Sequence, residues 1–219
     1  MKILITGVLG FIGRSLAEKI ISENLDIEIY GIDIKDVNES NAEFVSKINY
    51  KNLDIRNEDS IKSYVAENNF DGIIHLAAVS RVVDAENDKK NCIATNYKGT
   101  KYISEAAKEN PRTWMMFASS REVYGEQEIF PVSENAELLP YNVYGFYKLE
   151  AERAVRANVK KNCVLRFSNV YGNEYDIPGR VIPKFVKTAV EGGELALEGG
   201  KQIIDFTYAD WNRKIGWDL

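Results

Sequence analysis

Short apolar runs alternate along this chain with longer stretches whose apolar residues recur at helical spacing. The runs that predict strands cover residues 2–6, 27–33, 48–54, 72–78, 112–117 and 162–167. The stretches that predict helices cover residues 14–22, 60–67 and 87–109, with a further helix from Tyr144 through Arg156. Alternating strands and helices are typical of an α/β fold with a doubly wound parallel sheet. Ligands in such folds bind beyond the carboxyl ends of the strands.

Composition narrows the class of protein. The 219 residues are 45% hydrophobic, which is enough for one core and a small additional lobe. A net charge of −5 disfavours nucleic acid and anionic membrane surfaces as partners. The chain shows neither a signal peptide nor an apolar run long enough to span a membrane, so we expect a cytoplasmic protein.

Few residues are available for metal or thiol chemistry. The single histidine, His75, disfavours zinc sites and Ser-His schemes, and its place inside a strand run indicates a bracing role. Cys92 and Cys163 are far apart in sequence and lie in apolar or helical patterns. We expect both thiols to be reduced and buried, and we expect no metal site.

A glycine-rich turn joins the first strand to the first helix. Gly7 suits the tight turn, Gly10 allows a pyrophosphate to approach the backbone, and Gly13 allows close helix packing. The alternative is an ordinary glycine-rich turn. Asp33, at the end of the second strand, is placed to accept hydrogen bonds from an adenosine ribose and to repel a 2′-phosphate, which favours NAD over NADP. The alternative for Asp33 is a solvated acid at a strand end.

A tyrosine and a lysine four residues apart supply candidate acid-base chemistry. Tyr144 and Lys148 share one helix face, and the nearby ammonium should lower the tyrosine pKa from about 10. Ser119 and Ser120 follow the preceding apolar run, and a serine hydroxyl at such a strand end can hydrogen-bond an alcohol undergoing hydride transfer. Tyr97 and Lys101 have the same spacing but no serine strand end before them. We interpret that second pair as surface or packing residues.

Together these motifs resemble the extended short-chain dehydrogenase/reductase family, in its nucleotide-sugar epimerase/dehydratase branch. They occur in the family's order across about 210 residues, at positions 6–13, 53–55, 75–78, 95–100, 119–125, 144–148 and 165–172. The resemblance implies a Rossmann-like NAD-binding domain over residues 1–170 and a small, incomplete substrate lobe over residues 171–219. It also implies a homodimer through the helices that carry Tyr97 and Tyr144.

The resemblance assigns residues to the cofactor and to a nucleotide-diphosphate sugar. For NAD it implies Gly7, Gly10, Phe11, Ile12, Gly13, Asp33, Asp54, Ile55, Leu76, Ala77, Ala78, Asn96, Tyr144 and Lys148. For the substrate it implies Ser80, Ser120 and Asn169. Tyr144 would take the proton from the sugar C4 hydroxyl to give a 4-keto sugar, and Lys148 would hold the nicotinamide ribose.

The fate of the ketone stays open at this stage. A 4-epimerase returns hydride to the other face of the sugar and needs no further acid or base. The family's 4,6-dehydratases and decarboxylases have a glutamate where this chain has Glu122. The neighbouring acid of many dehydratases is replaced here by Arg121, which cannot lose its proton. Arg121 could instead bind a substrate carboxylate or neutralise Glu122.

The carboxyl-terminal part departs from the family pattern. Ile204 stands where the family has the arginine that clamps the substrate diphosphate. The segment Asn212–Leu219 resembles a much later part of full-length members, so we expect a stretch after Asp210 to be missing. A catalytically impaired NAD-binding homologue is therefore the competing interpretation. A steroid- or alcohol-type reductase fits the length but not the motif at residues 169–172.

Overall fold

The structure is a computed structural model that describes residues 1–37, 43–197, 199–200 and 203–209. Its strands are β1 (Lys2–Thr6), β2 (Glu28–Asp33), β3 (Asn49–Asn52), β4 (Gly72–His75), β5 (Trp114–Ser120), β6 (Asn162–Phe167), β7 (Asn169–Tyr171) and β8 (Phe206–Tyr208). Its α-helices are α1 (Phe11–Ser22), α2 (Glu58–Asn68), α3 (Val82–Asn87), α4 (Lys89–Cys92), α5 (Thr100–Lys108), α6 (Val143–Asn158) and α7 (Val181–Val190). A π-helical segment, Ile93–Gly99, joins α4 to α5, and short 3-10 turns cover Glu43–Lys47 and Arg121–Val123.

Six strands form one sheet in the order β3-β2-β1-β4-β5-β6. Strand β1 pairs in parallel with both β2 and β4, so that Thr6 lies opposite Ile32 on one side and His75 on the other. The strand order reverses between β1 and β4, and a crevice for a ligand forms outside the carboxyl ends at such a point. The expected Rossmann-like, doubly wound sheet is confirmed.

Apolar residues cover both faces of this sheet. Leu4 packs in one buried cluster with Ile32 and Ile73, whereas its neighbours Ile3 and Ile5 pack in a second cluster. Successive side chains on a strand point to opposite faces, so a run with no polar residue is buried on both sides. This burial explains why β1 reads as a continuous apolar run.

Several bounds differ from those that the sequence pattern predicts. Strand β4 ends at His75, and the small residues after it form irregular backbone. Strand β5 begins later than predicted and continues to Ser120. The predicted burial of Cys163 was wrong, because this residue is exposed on β6, at the edge of the sheet. Cys92 is buried, and both thiols are free of disulfides.

The described residues divide into two compact units between Arg166 and Phe167. In the second unit, β7 and β8 pair in parallel, with Asn169 opposite Phe206. Lys201, Gln202, Asp210 and the segment 211–219, on which part of the family comparison rests, lie outside the described residues. Among the helices that the structure describes, none is long and apolar enough to cross a membrane.

Candidate functional site

The glycine turn brings backbone segments so close together that side chains at two of its glycines would clash. Gly7 has a φ of 70°, and a Cβ atom built there would lie 2.8 Å from the Ala77 Cα atom. A Cβ atom at Gly13 would lie 2.3 Å from the Gly7 carbonyl oxygen. Helix α1 begins directly after Gly10, has no side chain hydrogen-bonded as an N-cap, and has no acidic residue in its first turn. Its first amides, those of Phe11 through Gly13, therefore suit an anion such as the pyrophosphate of NAD.

Asp33 lies beside this turn at the end of β2. Its Oδ2 atom accepts a hydrogen bond from the Leu9 amide at 3.0 Å, and its Oδ1 atom accepts one from the Lys35 amide at 3.2 Å. These bonds fix the carboxylate at the edge of the glycine turn. The structure thus brings together the glycine turn expected to bind the pyrophosphate of NAD and the carboxylate expected to bind its adenosine ribose.

Asp54 and Ile55 follow β3 in the chain. Hydrogen bonds from the Arg56 side chain hold Asp54 and lower the pKa of its carboxyl group. Ile55 is buried next to Gly99, where a Cβ atom would lie 2.7 Å from the Ile55 Cδ1 atom. The Arg56 guanidinium therefore already binds the Asp54 carboxylate. The expected contact of Asp54 with adenine would have to form while this ion pair persists.

The segment after β4 is fixed from two sides. The Thr6 hydroxyl oxygen accepts hydrogen bonds from the amides of Leu76 at 3.2 Å and Ala77 at 3.1 Å. The buried Asn96 side chain accepts a bond from the Val79 amide at 2.8 Å and donates one to the Val79 carbonyl at 3.0 Å. Asn96 thus braces the backbone expected to line the cofactor. Ala78 lies within this braced segment, and Ser80, beyond it, is exposed.

His75 is held in one neutral form beneath this segment. The Thr100 hydroxyl donates to the Asn96 carbonyl, so at 2.9 Å from His75 Nε2 it must accept a proton from that nitrogen. His75 Nδ1 then accepts the Thr6 hydroxyl proton at 2.6 Å. Burial, with a smaller contribution from Lys148, lowers the pKa of His75 to about 3. These contacts agree with the bracing role expected for His75.

Helix α6 carries the expected acid-base pair. Tyr144 and Lys148 are both buried, and the Lys148 Nζ atom lies 5.9 Å from the Tyr144 ring centroid. Lys148 also donates a hydrogen bond to the Ala118 carbonyl of β5 at 2.8 Å. Burial lowers the pKa of Lys148 to about 8, against opposing contributions from Cys92 and Glu152. The ammonium is therefore poised near neutral pH, as a catalytic pair requires.

Ser120, at the end of β5, and Glu122 lie near the start of helix α6. The Ser120 hydroxyl oxygen accepts a hydrogen bond from the Glu122 amide at 3.2 Å. The Glu122 Oε2 atom accepts a bond from the Asn142 side chain at 2.8 Å, and Oε1 pairs with the Arg121 guanidinium at 3.1 Å. A Cβ atom at Gly145 would lie 2.5 Å from the Glu122 carbonyl oxygen, so this glycine lets the helix approach the turn.

Sequence reasoning missed several groups that hold the site. Asn142 caps α6 by accepting the Gly145 amide at 2.7 Å while it donates to Glu122. Glu86 accepts the Val143 amide at 2.8 Å. Asn142 could have been found, because an asparagine directly before a helix is a common N-cap. Glu86 gives no such signal, since it lies 57 residues from Val143 in the chain.

Two expected features remain, the Tyr97–Lys101 pair and Asn169. The Tyr97 ring packs 6.1 Å from that of Tyr147, and Lys101 forms an ion pair with Glu105 at 3.6 Å. These contacts agree with the packing and surface roles expected for that pair. Asn169 belongs to the second unit, where its side chain donates to the Asp205 carbonyl at 3.3 Å.

The fold is that of a dinucleotide-binding α/β protein, and helix α6 with its buried Tyr144 and Lys148 packs against β5, the strand that ends at Ser120. The model of the NAD dependent epimerase/dehydratase family matches residues 3–210. The chain therefore belongs to this family, as its motifs predict.

Relatives in the family carry out different reactions. The chain is 31% identical to a putative UDP-glucose 4-epimerase of Methanocaldococcus jannaschii, over 94% of this chain and 69% of the relative. It is also 31% identical to a UDP-N-acetyl-alpha-D-glucosaminuronate decarboxylase of Bacillus cytotoxicus, over 94% of this chain and 66% of the relative. The chain thus spans about two thirds of these relatives.

A solved structure shows the same fold with its ligands. The UDP-glucuronic acid 4-epimerase of Bacillus cereus, in complex with UDP-glucuronic acid and NAD, is 27% identical to this chain. The two superpose with a TM-score of 0.82, over 96% of this chain and 70% of the other.

Proposed function

We propose that this chain is an NAD-dependent nucleotide-sugar 4-epimerase that acts through a transient 4-keto sugar. The observation that carries this proposal is the buried Tyr144–Lys148 pair on α6, in which Lys148 binds β5 two residues before Ser120. The glycine turn with uncapped amides and the Asp33 carboxylate support NAD as the cofactor. The chain spans about two thirds of the length of these relatives, so the catalytic activity itself is a proposal.

Each group has a defined task in the proposed reaction. When bound, NAD would supply the hydride acceptor for the sugar C4 atom and the hydride donor for its return to the opposite face. Tyr144 removes the proton of the C4 hydroxyl and later gives it back. Lys148 favours the phenolate by its charge and holds the cofactor ribose. The Ser120 hydroxyl orients the C4 oxygen, and Ser80 and Asn169 are proposed to contact the substrate.

The surroundings of Glu122 favour epimerisation over 4,6-dehydration. A dehydratase needs an acid and a base that are free to exchange protons with the sugar. Both carboxylate oxygens of Glu122 already have partners, Asn142 and Arg121. Arg121 replaces the neighbouring acid and cannot donate a proton at neutral pH. A 4-epimerase needs neither group, because Tyr144 both removes and returns the proton.

A dehydratase or decarboxylase is the second candidate. Glu122 is retained, and the Bacillus cytotoxicus relative is a decarboxylase. A catalytically impaired NAD-binding homologue is the third, since Ile204 occupies the position of the diphosphate-clamping arginine. The cytoplasmic location and the homodimer stay predictions.

A panel of substrates distinguishes these candidates. Purified protein with NAD is incubated with UDP-, dTDP- and GDP-sugars, and the products are resolved. We expect interconversion of 4-epimers. A 4-keto-6-deoxy product would identify a dehydratase instead, and loss of carbon dioxide a decarboxylase. Tight NAD binding without turnover of any sugar would favour the impaired homologue.

Paired substitutions test the choice of base. Tyr144→Phe should abolish turnover while NAD still binds, because only the phenol oxygen is removed. Tyr97→Phe is the matched control and should leave turnover unchanged. Loss of activity in Tyr97→Phe alone would show that the wrong pair has been chosen.

A further inference from the structure

A buried ionic network begins one helical turn beyond Lys148 on α6. Glu152 is 1% exposed. Its Oε1 atom accepts the Ser119 hydroxyl proton at 2.5 Å and the Arg166 Nε proton at 3.0 Å, and its Oε2 atom accepts from Arg166 Nη2 at 2.8 Å. The carboxylate therefore binds the guanidinium through both oxygens and also holds a serine hydroxyl.

The guanidinium continues the network toward the turn that follows β5. Arg166 Nη1 donates to the Tyr124 hydroxyl at 3.0 Å and to the Glu134 carbonyl at 3.2 Å. The guanidinium carbon also lies 4.8 Å from the Tyr124 ring centroid. An apolar pair of similar size is often as stable as a buried ion pair, so stability alone is a weak reason to bury these charges.

The network and Lys148 hold successive residues of β5. Lys148 donates to the Ala118 carbonyl, and Ser119 donates to Glu152. The next residue is Ser120, whose hydroxyl is proposed to orient the sugar. Helix α6 is therefore hydrogen-bonded to the strand at the two positions before Ser120, and the same helix carries Tyr144. These two bonds set the relative position of the three proposed catalytic groups.

Lys148 has few compensating charges around it. The titratable groups that face it are Tyr144 and Glu152 on its own helix, Cys92 on α4 and His75 on β4. Burial raises the pKa of Cys92 and lowers that of His75, so both groups are neutral near pH 7.

Two other carboxylates at the start of α6 are already engaged. Glu86 and Glu122 lie at the start of the helix, where the Val143 amide and the Asn142 side chain bind them. Glu152 is therefore the buried carboxylate that faces Lys148 from within the helix.

We propose that Glu152, held by Arg166, is a positioning residue for the Ser120, Tyr144 and Lys148 constellation. Through Ser119 it fixes the end of β5 against α6, and its charge favours the ammonium form of Lys148 against the larger, opposing effect of burial. This inference rests on the proposed function for the identity of the catalytic groups. Its first test needs neither substrate nor cofactor.

The first test follows the absorbance of the tyrosine phenolate as the pH is raised. Subtracting the curve of the Tyr144→Phe variant isolates the step that belongs to Tyr144. In Glu152→Gln, the Arg166 cation loses its partner and makes the surroundings of the pair more positive. The coupled Tyr144–Lys148 titration should then shift to lower pH, by about one pH unit.

Two further variants separate charge from shape. Glu150→Gln removes the same charge from the same helix, but from a more exposed pair with Arg153, and should leave the Tyr144 step in place. Glu152→Asp keeps the charge on a shorter side chain and should return the midpoint of the Tyr144 titration to its wild-type value. Equal midpoints in the folded Glu152→Gln and Glu150→Gln variants would overturn the electrostatic part of the proposal.

The second test measures how much the hydrogen bond between Ser119 and Glu152 contributes to the rate. Ser119→Ala removes one hydrogen bond and no charge, so it remains informative if Glu152→Gln does not fold. With a sugar that turns over, we expect about a tenfold loss of kcat and an unchanged KM, because the loss of one positioning contact misaligns groups in the transition state. An unchanged kcat would overturn the positioning role. If no sugar turns over but the titration shift is found, the proposed function fails and the charge relationship stands.

Discussion

Two regions of the first unit prepare the proposed reaction by different means. The glycine turn after β1 offers backbone amides, and it depends on the absence of side chains at Gly7 and Gly13. The region between β5 and α6 offers side chains, and it depends on buried partners that hold Lys148 and Glu152. The first region is made by close backbone approach and the second by charge and hydrogen bonding.

This difference predicts how each region should respond to change. A backbone site has no group to titrate, so added volume should damage it while pH should not. A side-chain site tolerates changes of volume at its edge, but it should respond to pH and to the loss of single hydrogen bonds.

Gly13→Ala should damage the glycine turn most. The added methyl group would lie 2.3 Å from the Gly7 carbonyl oxygen and 2.8 Å from the Val8 Cα atom, which are both backbone atoms. We expect a loss of about 3 kcal/mol in the free energy of unfolding, because backbone atoms cannot move aside cheaply. Urea unfolding measures this loss, and fluorescence quenching should show weakened NAD binding.

The matched control for that change is Gly179→Ala. A Cβ atom there would meet no other heavy atom within 4 Å, and the residue has no positive φ. We expect its free energy of unfolding to stay within about 0.5 kcal/mol of the wild type. If both variants lost the same stability, close backbone approach would not be what the turn depends on.

Acid should weaken the fold through His75. Burial lowers the pKa of His75 to about 3, so between that value and its ordinary 6.5 the unfolded chain binds a proton that the folded chain does not. Stability is therefore lost as the pH falls through this window, by about 1.4 kcal/mol per pH unit for this one group.

Urea unfolding of the wild type and of His75→Gln between pH 7 and pH 4 isolates that contribution. The carboxylates titrate in both proteins, so the difference between the two slopes belongs to His75. Because His75 is the single histidine, its imidazole signals can also be followed by nuclear magnetic resonance without assignment. If His75 titrated near pH 6.5 in the folded protein, that result would contradict a neutral imidazole with both ring nitrogens hydrogen-bonded.

Raising the pH should abolish the proposed reaction at a lower pH than the one at which the fold is destabilised. Burial lowers the pKa of Lys148 to about 8, so the ammonium is lost above that pH. We expect kcat/KM to fall about tenfold per pH unit on this limb, since the phenolate loses its neighbouring charge. Rate measurements between pH 6 and pH 10 locate the limb.

The same group should affect stability in the opposite direction. Its folded pKa lies below the ordinary 10.5, so the unfolded chain binds more protons between these two values. The contribution of Lys148 to the free energy of unfolding therefore rises from pH 8 to pH 10.5. Loss of activity in parallel with loss of secondary structure would show that unfolding, and not Lys148, causes the basic limb.

The contrast also explains what the sequence could predict. The alternating apolar runs, the glycine spacing and the Tyr144–Lys148 spacing are local signals, because strands, tight turns and helix faces each have a fixed period. Strand ends were less well predicted, since tertiary pairing, not the apolar run, decides that β4 stops at His75 and that β5 extends to Ser120. The exposed Cys163 was missed for a related reason, because an apolar edge strand reads like a central one.

The supporting contacts could not be predicted from one sequence. Glu152 meets Ser119 across 33 residues and Arg166 across 14, and nothing in the local pattern pairs them. The spacing of Lys148 and Glu152 indicates a shared helix face, but it does not show that the face is buried. Groups that act through the backbone leave a local trace in the sequence, whereas groups that act through distant partners do not.

The smallest expected effect concerns Asn142, which joins both kinds of contact in one side chain. Its oxygen caps α6 at the Gly145 amide, and its nitrogen donates to Glu122. Asn142→Ala should lower the free energy of unfolding by about 1 kcal/mol, the usual cost of losing an N-cap. Asn142→Ser keeps a capping oxygen but cannot donate to Glu122 across the same distance, so it should regain most of that stability. Thermal unfolding of the two variants measures the difference. If serine were as destabilising as alanine, the bond to Glu122 would be the larger contribution, and the start of α6 would depend on the side-chain network more than on its own cap.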